Sequence, residues 1–585
     1  MIPTDQSSNN TNNDNMSADI LDVIIIGAGP CGLAVAARLH EETPSALFTD
    51  EEHQRYHWIK KHSGRMALVQ AHNRKMKGVR AEKYTGIGSG SKSATSSTER
   101  STSSSANGSE TSKGRRRPSS RYSMLVLDSS GDRWMERWHR NFRMLEIEHL
   151  RSPMFFHVDP GDRDGLLAYT RETGREKELW EITGCVGQEL SKHKKKKRIK
   201  SRTTMEVEID ERDRKDYFTP STKLFEDYCA SIVSRYGLDV PGQILHQEVE
   251  DIKYDIVRDL STTEKFFTVT TKEGRKFYSR AVVLAIGPGG ARVMPWQLSP
   301  EEEMGACHSL DIKSFPSPNV RSKIKDHRET NIVVVGGGLS SAQLVDLAIR
   351  KGVTRVWFLL RSDLKVKPFD VGLTWMGKFR NYEKAVFWSA DDDDERLEMI
   401  KTARNGGSIT PRFHKILKQH VACKRLSIHT RTVIASHEFD PSSKTWRITT
   451  DPPIPDLPPR IDYIYFATGV KSDVGEIPLL RTMNREYPIE IKQGLPCITD
   501  DLMWKQDVPL FVTGRLAALR LGPGAANLEG ARLGAERVAW ALEETLGKSA
   551  SDDGTEEEES WSLSSSTLIR SFCGLGNRYA GLVSA

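Results

Sequence analysis

Two stretches have the residue types and spacing to hold a phosphate-bearing ligand. The first is Ile24-Ile25-Ile26-Gly27-Ala28-Gly29-Pro30-Cys31-Gly32 and the second is Val333-Val334-Val335-Gly336-Gly337-Gly338-Leu339-Ser340-Ser341-Ala342-Gln343. Each reads as a strand, a tight glycine turn and the start of a helix. In the first, Gly27 permits the turn, Gly29 lets a pyrophosphate approach the backbone, and Gly32 lets helix and strand pack closely. Pro30 and Cys31 complete the fingerprint, Cys31 as a small residue. The helix start offers free N–H groups and the positive end of its dipole to the phosphates. A second short strand is predicted at Ala46–Thr49. It ends at Asp50 and Glu51, and Asp50 stands at about the twenty-residue spacing where an acid accepts hydrogen bonds from ribose hydroxyls. In the second stretch the three positions are Gly336, Gly338 and Ser341, and Ser341 is still small enough for close packing. The strand that follows, Val356–Leu360, ends at Arg361 where an NAD site places an acid. A guanidinium there suits the 2′-phosphate of NADP, and Lys365 and Lys367 add positive field. Two such turns imply two dinucleotides, and two dinucleotides imply electron transfer between them.

These turns need parallel strands and helices to hold them. The apolar, β-branched run Asp22–Ile26 is typical of a strand buried on both faces, so the fold class is α/β. The order of parts is informative: a glycine turn, a strand ending Ala285-Ile286-Gly287, a second glycine turn, a strand ending Ala467-Thr468-Gly469, then Thr513-Gly514-Arg515. It predicts two Rossmann-like domains, the second inserted in the first, with the Gly287 and Gly469 strands flanking the insertion. The expected division is a tail at 1–19, a first dinucleotide domain at 20–330, a second at 331–462, completion of the first at 463–546, and a tail at 547–585. The Ser-, Thr- and Gly-rich tract 86–120 cannot bury enough apolar surface to offset its chain entropy and is expected to be a disordered insert. After Gly524 a helix runs to about Leu546. Its start would face the ring system of the first ligand, with Asn527 as a hydrogen-bonding candidate.

Composition narrows the function classes. A net charge of +6 over 585 residues is too dilute for a nucleic-acid protein. The seven cysteines include no CxxC pair, which argues against a zinc site or disulfide framework and suits a reducing, cytoplasmic location. No metal site is expected. Nothing reaches the roughly 20 apolar residues of a membrane span, and no secretory signal is seen. No CxxxxC lies between Asp50 and Gly86, so a disulfide reductase of this layout is disfavoured.

The chain resembles the class B flavin monooxygenases, and within them the lysine/ornithine N-hydroxylase group. Three features carry the resemblance: Gly27 to Leu33; His149-Leu150-Arg151-Ser152-Pro153 with Leu166–Tyr169 and Phe225–Tyr228; and Phe466-Ala467-Thr468-Gly469. A weaker similarity runs to oxidative-stress-induced growth inhibitor proteins. The resemblance implies a glutathione-reductase-like layout with FAD at Gly27–Gly32 and the 513–530 block, and NADPH at the second turn. Reduced FAD would activate dioxygen and hydroxylate a small nucleophile such as an amine. Two alternatives stay open: an NADPH oxidase or dehydrogenase of the same fold, and a regulatory flavoprotein. No catalytic residue is assigned. His149 and Arg151 are candidates for orienting substrate or NADP, with a loop held by Arg hydrogen bonds as the alternative. Trp134 and Trp138 could wall the flavin ring, though aromatics at that spacing are more often just packing. His157 and Asp159 are compatible with metal binding, but two residues on one strand face do not make a site.

Overall fold

An apolar run without polar alternation must be buried on both faces, and Ile20–Ile26 (β1) is: Val23, Ile24 and Ile25 are fully buried. The computed structural model describes residues 20–41, 44, 122–187, 211–287, 291–376 and 380–547. Met1–Leu47 with Ser120–Asp553 forms one compact unit. A second unit, Phe48–Ser119 with Gly554–Ala585, lies wholly outside the described residues. The tracts expected to be disordered at 1–19 and 86–120, and the tail after Gly547, also lie outside them.

β1 leads through its glycine turn into the helix Pro30–His40 (α1), which has Pro at its first position and buries Gly32 to Ala37. The chain then lays down Met124–Asp128 (β2), Ile244–His246 (β3), Val249–Ile256 (β4), Lys265–Thr271 (β5) and Lys276–Leu284 (β6). It leaves this sheet after β6. A second sheet follows from Ala306–His308 (β7), Asn331–Val335 (β8), Arg355–Leu360 (β9), Leu426–Thr430 (β10) and Tyr463–Phe466 (β11). The chain returns to the first sheet as Met503–Lys505 (β12) and Val508–Val512 (β13).

The first sheet has the order β12-β13-β6-β1-β2-β3, with β5 also on β6 and β4 on β5. β1 is parallel to both neighbours, pairing Ile24 with Leu125 on one side and with Val282 on the other. The second sheet is all parallel, in the order β7-β11-β8-β9-β10. The expected two-sheet α/β architecture is therefore present. The insertion is wider than the expected 331–462, because β7 and β11 belong to the second sheet and β11 lies directly on β8. Apolar Ile464 and Phe466 find their burial there, against Val333, Trp357 and Trp446. Where the chain crosses between sheets, Ala291–Arg292 pairs antiparallel with Val470–Lys471.

Helices cover the second sheet: Leu339–Arg350 (α2), which opens at the second glycine turn, and Pro411–Ala422 (α5) beside it. Between them, the region from Lys365 to Leu426 holds Arg380–Trp388 (α3) and Asp393–Arg404 (α4). The acidic run there is a helix start: Asp392 accepts the Glu395 N–H at 2.8 Å, and three acids fill the first turn.

The final helix, Leu528–Gly547 (α6), packs on α1 through a buried Arg38–Glu536 pair with contacts of 2.6 and 2.9 Å. One turn earlier Arg532 donates to the Phe155 carbonyl at 3.1 Å, beside fully buried His157. His157 Nδ1 accepts the Asp159 N–H and Nε2 faces the Arg163 carbonyl at 2.8 Å. Nε2 therefore carries the proton of a neutral ring. Burial, with Arg532 nearby, pushes this histidine down to about 3.

Two measurements test this packing. Arg38→Met should leave the Glu536 carboxylate buried and unpaired, costing about 3–5 kcal/mol in urea unfolding. His157 binds its proton in the unfolded chain at about 6.5 but in the folded chain only near 3. Its contribution to stability is therefore full above about pH 6.5 and is lost as pH falls toward 3. His157→Gln should lose less stability than the parent between about pH 7.5 and about pH 5.

Candidate functional site

The two glycine turns have the same construction. At the first, Gly27 N–H donates to Leu127 O of β2 at 2.8 Å, and the Ala285 N–H after β6 donates to Ile26 O at 2.8 Å. At the second, Gly336 N–H donates to Leu359 O of β9 at 3.0 Å, and the Ala467 N–H after β11 donates to Val335 O at 2.7 Å. In each case the glycine has positive φ, +110° at Gly27 and +145° at Gly336. A β-carbon would stand 2.5 Å from Ala285 O at Gly27 and 2.3 Å from Ala467 O at Gly336. Side chains are excluded at both.

The middle glycines differ in kind. A β-carbon on Gly29 or on Gly338 would meet nothing within 4 Å. The space over both is open, at the N-termini of α1 and α2, where backbone N–H groups lack partners within the helix. In the third place Gly32 sits tight against Gly27 O, which a β-carbon would approach to 2.0 Å. Ser341 is fully buried and its hydroxyl donates to Gly338 O at 2.6 Å. Both turns therefore fit a pyrophosphate by the shape of the cradle.

Among the described residues an acid, Asp128, stands beside the first turn. Asp50 and Glu51 lie outside the described residues, as does the predicted strand Ala46–Thr49. The strand paired with β1 is β2, and Asp128 ends it. Asp128 accepts the N–H groups of Ala28 at 2.7 Å and Ser130 at 2.6 Å, so its carboxylate is held at the turn. The sequence signal was the apolar run Met124–Leu127 closed by an acid, which spacing alone passes over.

At the second turn the matching hydrogen bonds put Leu360 in the place of Asp128. Leu360 lies 3.8 Å from where Gly337 would carry a β-carbon, and Arg361 follows it. Among the described residues Arg361 is exposed and has no hydrogen-bond or ion-pair partner. Lys365 and Lys367 keep their charge while hydrogen-bonded to neutral oxygens. Lys365 donates to the backbone and side-chain oxygens of Asn405 at 2.8 and 2.9 Å, and Lys367 to Arg404 O at 2.9 Å. They cap the carbonyl end of α4.

The remaining candidates separate clearly. Gly287 and Gly469 have φ of +73° and +88° and open space where a β-carbon would be. Gly514, with φ +66°, faces the Cys31 thiol, which lies 3.2 Å from its missing β-carbon. Burial pushes that thiol up to about 11. Arg515 is exposed, beside Arg404. Asn527 donates to Asp370 at 3.3 Å, and Asp370 also takes Arg404 at 3.0 Å. The start of α6 is not a bare dipole: Glu529 in its first turn is buried and takes Lys384 at 3.0 Å and Arg380 at 3.3 Å.

Trp134 and Trp138 are packing residues. Trp134 is buried and donates to Leu238 O at 2.9 Å, while Trp138 stacks on Phe142 at 3.7 Å. Asp159 is used internally by Tyr228, Arg235 and Tyr236, and no cluster of three metal-ligating side chains exists among the described residues. His149 stacks on Trp180, and burial lowers it to about 4. Arg151 reaches across to the second sheet's loops.

The family model for L-lysine 6-monooxygenase/L-ornithine 5-monooxygenase matches residues 213–470. No curated protein matches the chain. Among solved structures, the chain is similar to the cadaverine monooxygenase of desferrioxamine biosynthesis from Erwinia amylovora, bound to FAD, at 14% identity, TM-score 0.53, over 93% of this chain and 98% of that one. Ornithine hydroxylase from Pseudomonas aeruginosa matches at 14% identity, TM-score 0.53, over 90% and 100%. Ornithine N-hydroxylase from Kutzneria sp. 744, with reduced FAD, NADP+ and L-ornithine, matches at 14% identity, TM-score 0.54, over 90% and 99%. At such identity these likenesses are of fold. Together with the family match they bear out the resemblance read from the sequence.

The glycines should separate by variant. Gly27→Ala and Gly336→Ala put a β-carbon against a carbonyl and should lower the free energy of unfolding, each by more than about 1 kcal/mol in urea titration. Gly29→Ala and Gly338→Ala should hold or raise stability, by up to about 1 kcal/mol, while weakening dinucleotide binding in calorimetric titration.

Proposed function

We propose that the chain is an FAD- and NADPH-dependent monooxygenase that hydroxylates the nitrogen of a small amine. The observation that carries the assignment of the two cofactors is the contrast between two turns of equal construction. One has a carboxylate, Asp128, where the other has Leu360 followed by the unpaired Arg361. A carboxylate accepts ribose hydroxyls, whereas a free guanidinium meets the 2′-phosphate of NADPH. FAD is thereby assigned to Gly27–Gly32 and NADPH to Gly336–Ser341. The family match and the folds of the amine hydroxylases support the reaction class.

FAD supplies the ring that accepts a hydride equivalent from NADPH and then passes electrons to dioxygen. In this reading the chain's own residues bind and orient. Gly29, Pro30 and the N-terminus of α1 receive one pyrophosphate, and Gly338 with the N-terminus of α2 receives the other. Asp128, already aimed at the turn by two backbone N–H groups, takes the ribose. Gly287, Gly469, Gly514, Arg515 and Asn527 border the space at the strand ends where the two ligands approach each other. The start of α6, with Arg380 and Lys384 around Glu529, supplies positive potential at that end.

The six described cysteines are free. Burial pushes Cys31 and Cys307 up to about 11, and Cys185 and Cys497 up to about 12. None of these four is a thiolate near neutral pH, so a dithiol relay beside the first turn is unsupported. Free thiols also agree with the reducing cytoplasm as location, and no described helix is long and apolar enough to cross a membrane.

Stopped-flow mixing with NADPH under nitrogen should bleach the flavin, and readmitted oxygen with an amine such as L-ornithine or cadaverine should give hydroxylamine in step with NADPH consumed. Failure of NADPH to bleach the flavin ends the reading. Peroxide equal to NADPH consumed, with every amine tried, replaces it by an oxidase. Arg361→Gln should raise KM for NADPH about tenfold and leave KM for NADH unchanged, the loss of one charge-assisted contact.

A further inference from the structure

A short segment of the first domain, Glu146–Arg151, makes a series of contacts on the second. Glu146 pairs with Arg350, at the far end of α2, at 3.0 Å and with Lys351. Glu148 meets Arg412, at the start of α5, at 3.4 Å. Arg412 lies 3.4 Å over the Trp180 ring, and His149 stacks on the same ring at 3.1 Å, which two such groups can do only from opposite faces.

Arg151 closes the series. Its Nε donates to Pro368 O at 3.3 Å, Nη1 to Ser408 O at 3.4 Å, and Nη2 to Lys367 O at 3.0 Å and Ser408 Oγ at 2.9 Å. The planar guanidinium thus ties together two loop stretches, which also share a parallel bridge between Val366 and Ile409. Lys367 N–H donates to Ile409 O and Ile409 N–H to Lys365 O, both at 2.9 Å. One residue from Ser408, Gly407 presses on the second glycine turn. A β-carbon on Gly407 would stand 3.2 Å from the Gly337 carbonyl and from Gly338 Cα.

We propose that Arg151 is a positioning residue for the second dinucleotide: by holding Ser408 it fixes how closely the Arg404–Ile409 loop covers the Gly336–Gly338 turn, and so sets affinity for NADPH. The inference rests on the reading of that turn as the NADPH site. The guanidinium suits the task because its rigid fork can bind several carbonyls at once, which an ammonium cannot. Arg151 is close enough to Gly407 through the chain to control it and is separated from the turn itself by that loop. Its effect should therefore fall on binding and not on hydride transfer.

The test uses the FAD-loaded enzyme, titrated with NADP+ by calorimetry and mixed with NADPH in stopped flow. Arg151→Gln should weaken NADP+ binding about tenfold, as expected for losing hydrogen bonds from a charged donor, with FAD content unchanged and limiting reduction rate within about twofold. Arg151→Lys should recover part of the affinity. Gly407→Ala should also weaken NADP+, and the double variant Arg151→Gln/Gly407→Ala should be no weaker than the worse single, because both act through one loop. If Arg151→Gln does not fold, Ser408→Ala reads the same anchor and should weaken NADP+ about threefold. Unchanged NADP+ affinity in the folded variants overturns the proposal, as does a limiting rate that falls in proportion to affinity. A parent enzyme that binds NADP+ while all variants match it sinks only this inference; a parent that binds neither NADP+ nor NADPH sinks the assignment of the turn and this inference with it.

Discussion

The carbonyl oxygen of Ala285 lies 2.5 Å from the point where Gly27 would carry a β-carbon, and that of Ala467 lies 2.3 Å from the matching point on Gly336. Much of the structure exists to make these two approaches possible. Each needs a strand end brought from far along the chain to lie beside the turn, which β6 and β11 provide. Each needs a residue without a side chain in the turn, in a conformation with positive φ. The carbonyls close the turns from below and leave the space over Gly29 and Gly338 empty. A site for a phosphate is in this sense a by-product of tight backbone packing one residue away.

How much of this was legible in the sequence depended on range. Local signals held: the apolar run into Gly27, the small residues of α1 and the helix after Gly524 all carry their information within a few residues. The alternation of glycine turns with Gly-ended strands was enough to predict two Rossmann-like sheets with one inserted in the other. Register was not legible. The short strand 463–466 reads equally well as the last of one domain or the first of the next, and only its pairing with β7 and β8 decides. The charges of Lys365 and Lys367 were visible, but their use as caps for α4 depends on where that helix ends.

Buried polar groups were the other blind spot. Nothing in the sequence marks Arg532, His157, Asp159 and Glu529 as interior, and all are nearly or fully buried. They are tolerable because each has partners: Arg532 has the Phe155 carbonyl, His157 has the Asp159 N–H and the Arg163 carbonyl, Asp159 has Tyr228, Arg235 and Tyr236, and Glu529 has Arg380 and Lys384 of α3. Such networks gain specificity more than stability, since a hydrophobic core of the same volume is often at least as stable. Here they join α6 to the segment at 155–163 and to α3.

Asp128 illustrates a wider point about fingerprints. The parallel pairing of β2 with β1 asks only that the connecting chain end where β2 begins. The entropy of closing a flexible loop in general grows with the logarithm of its length, about 0.6 kcal/mol for each doubling. Residues 41–123 separate α1 from β2 in this chain, yet β2 pairs with β1 in unbroken register. An interval of that length in the chain leaves the acid beside the turn in place. Homologues of this architecture are therefore better aligned by strand neighbours than by counting residues, and a gap at this point is a poor reason to reject one.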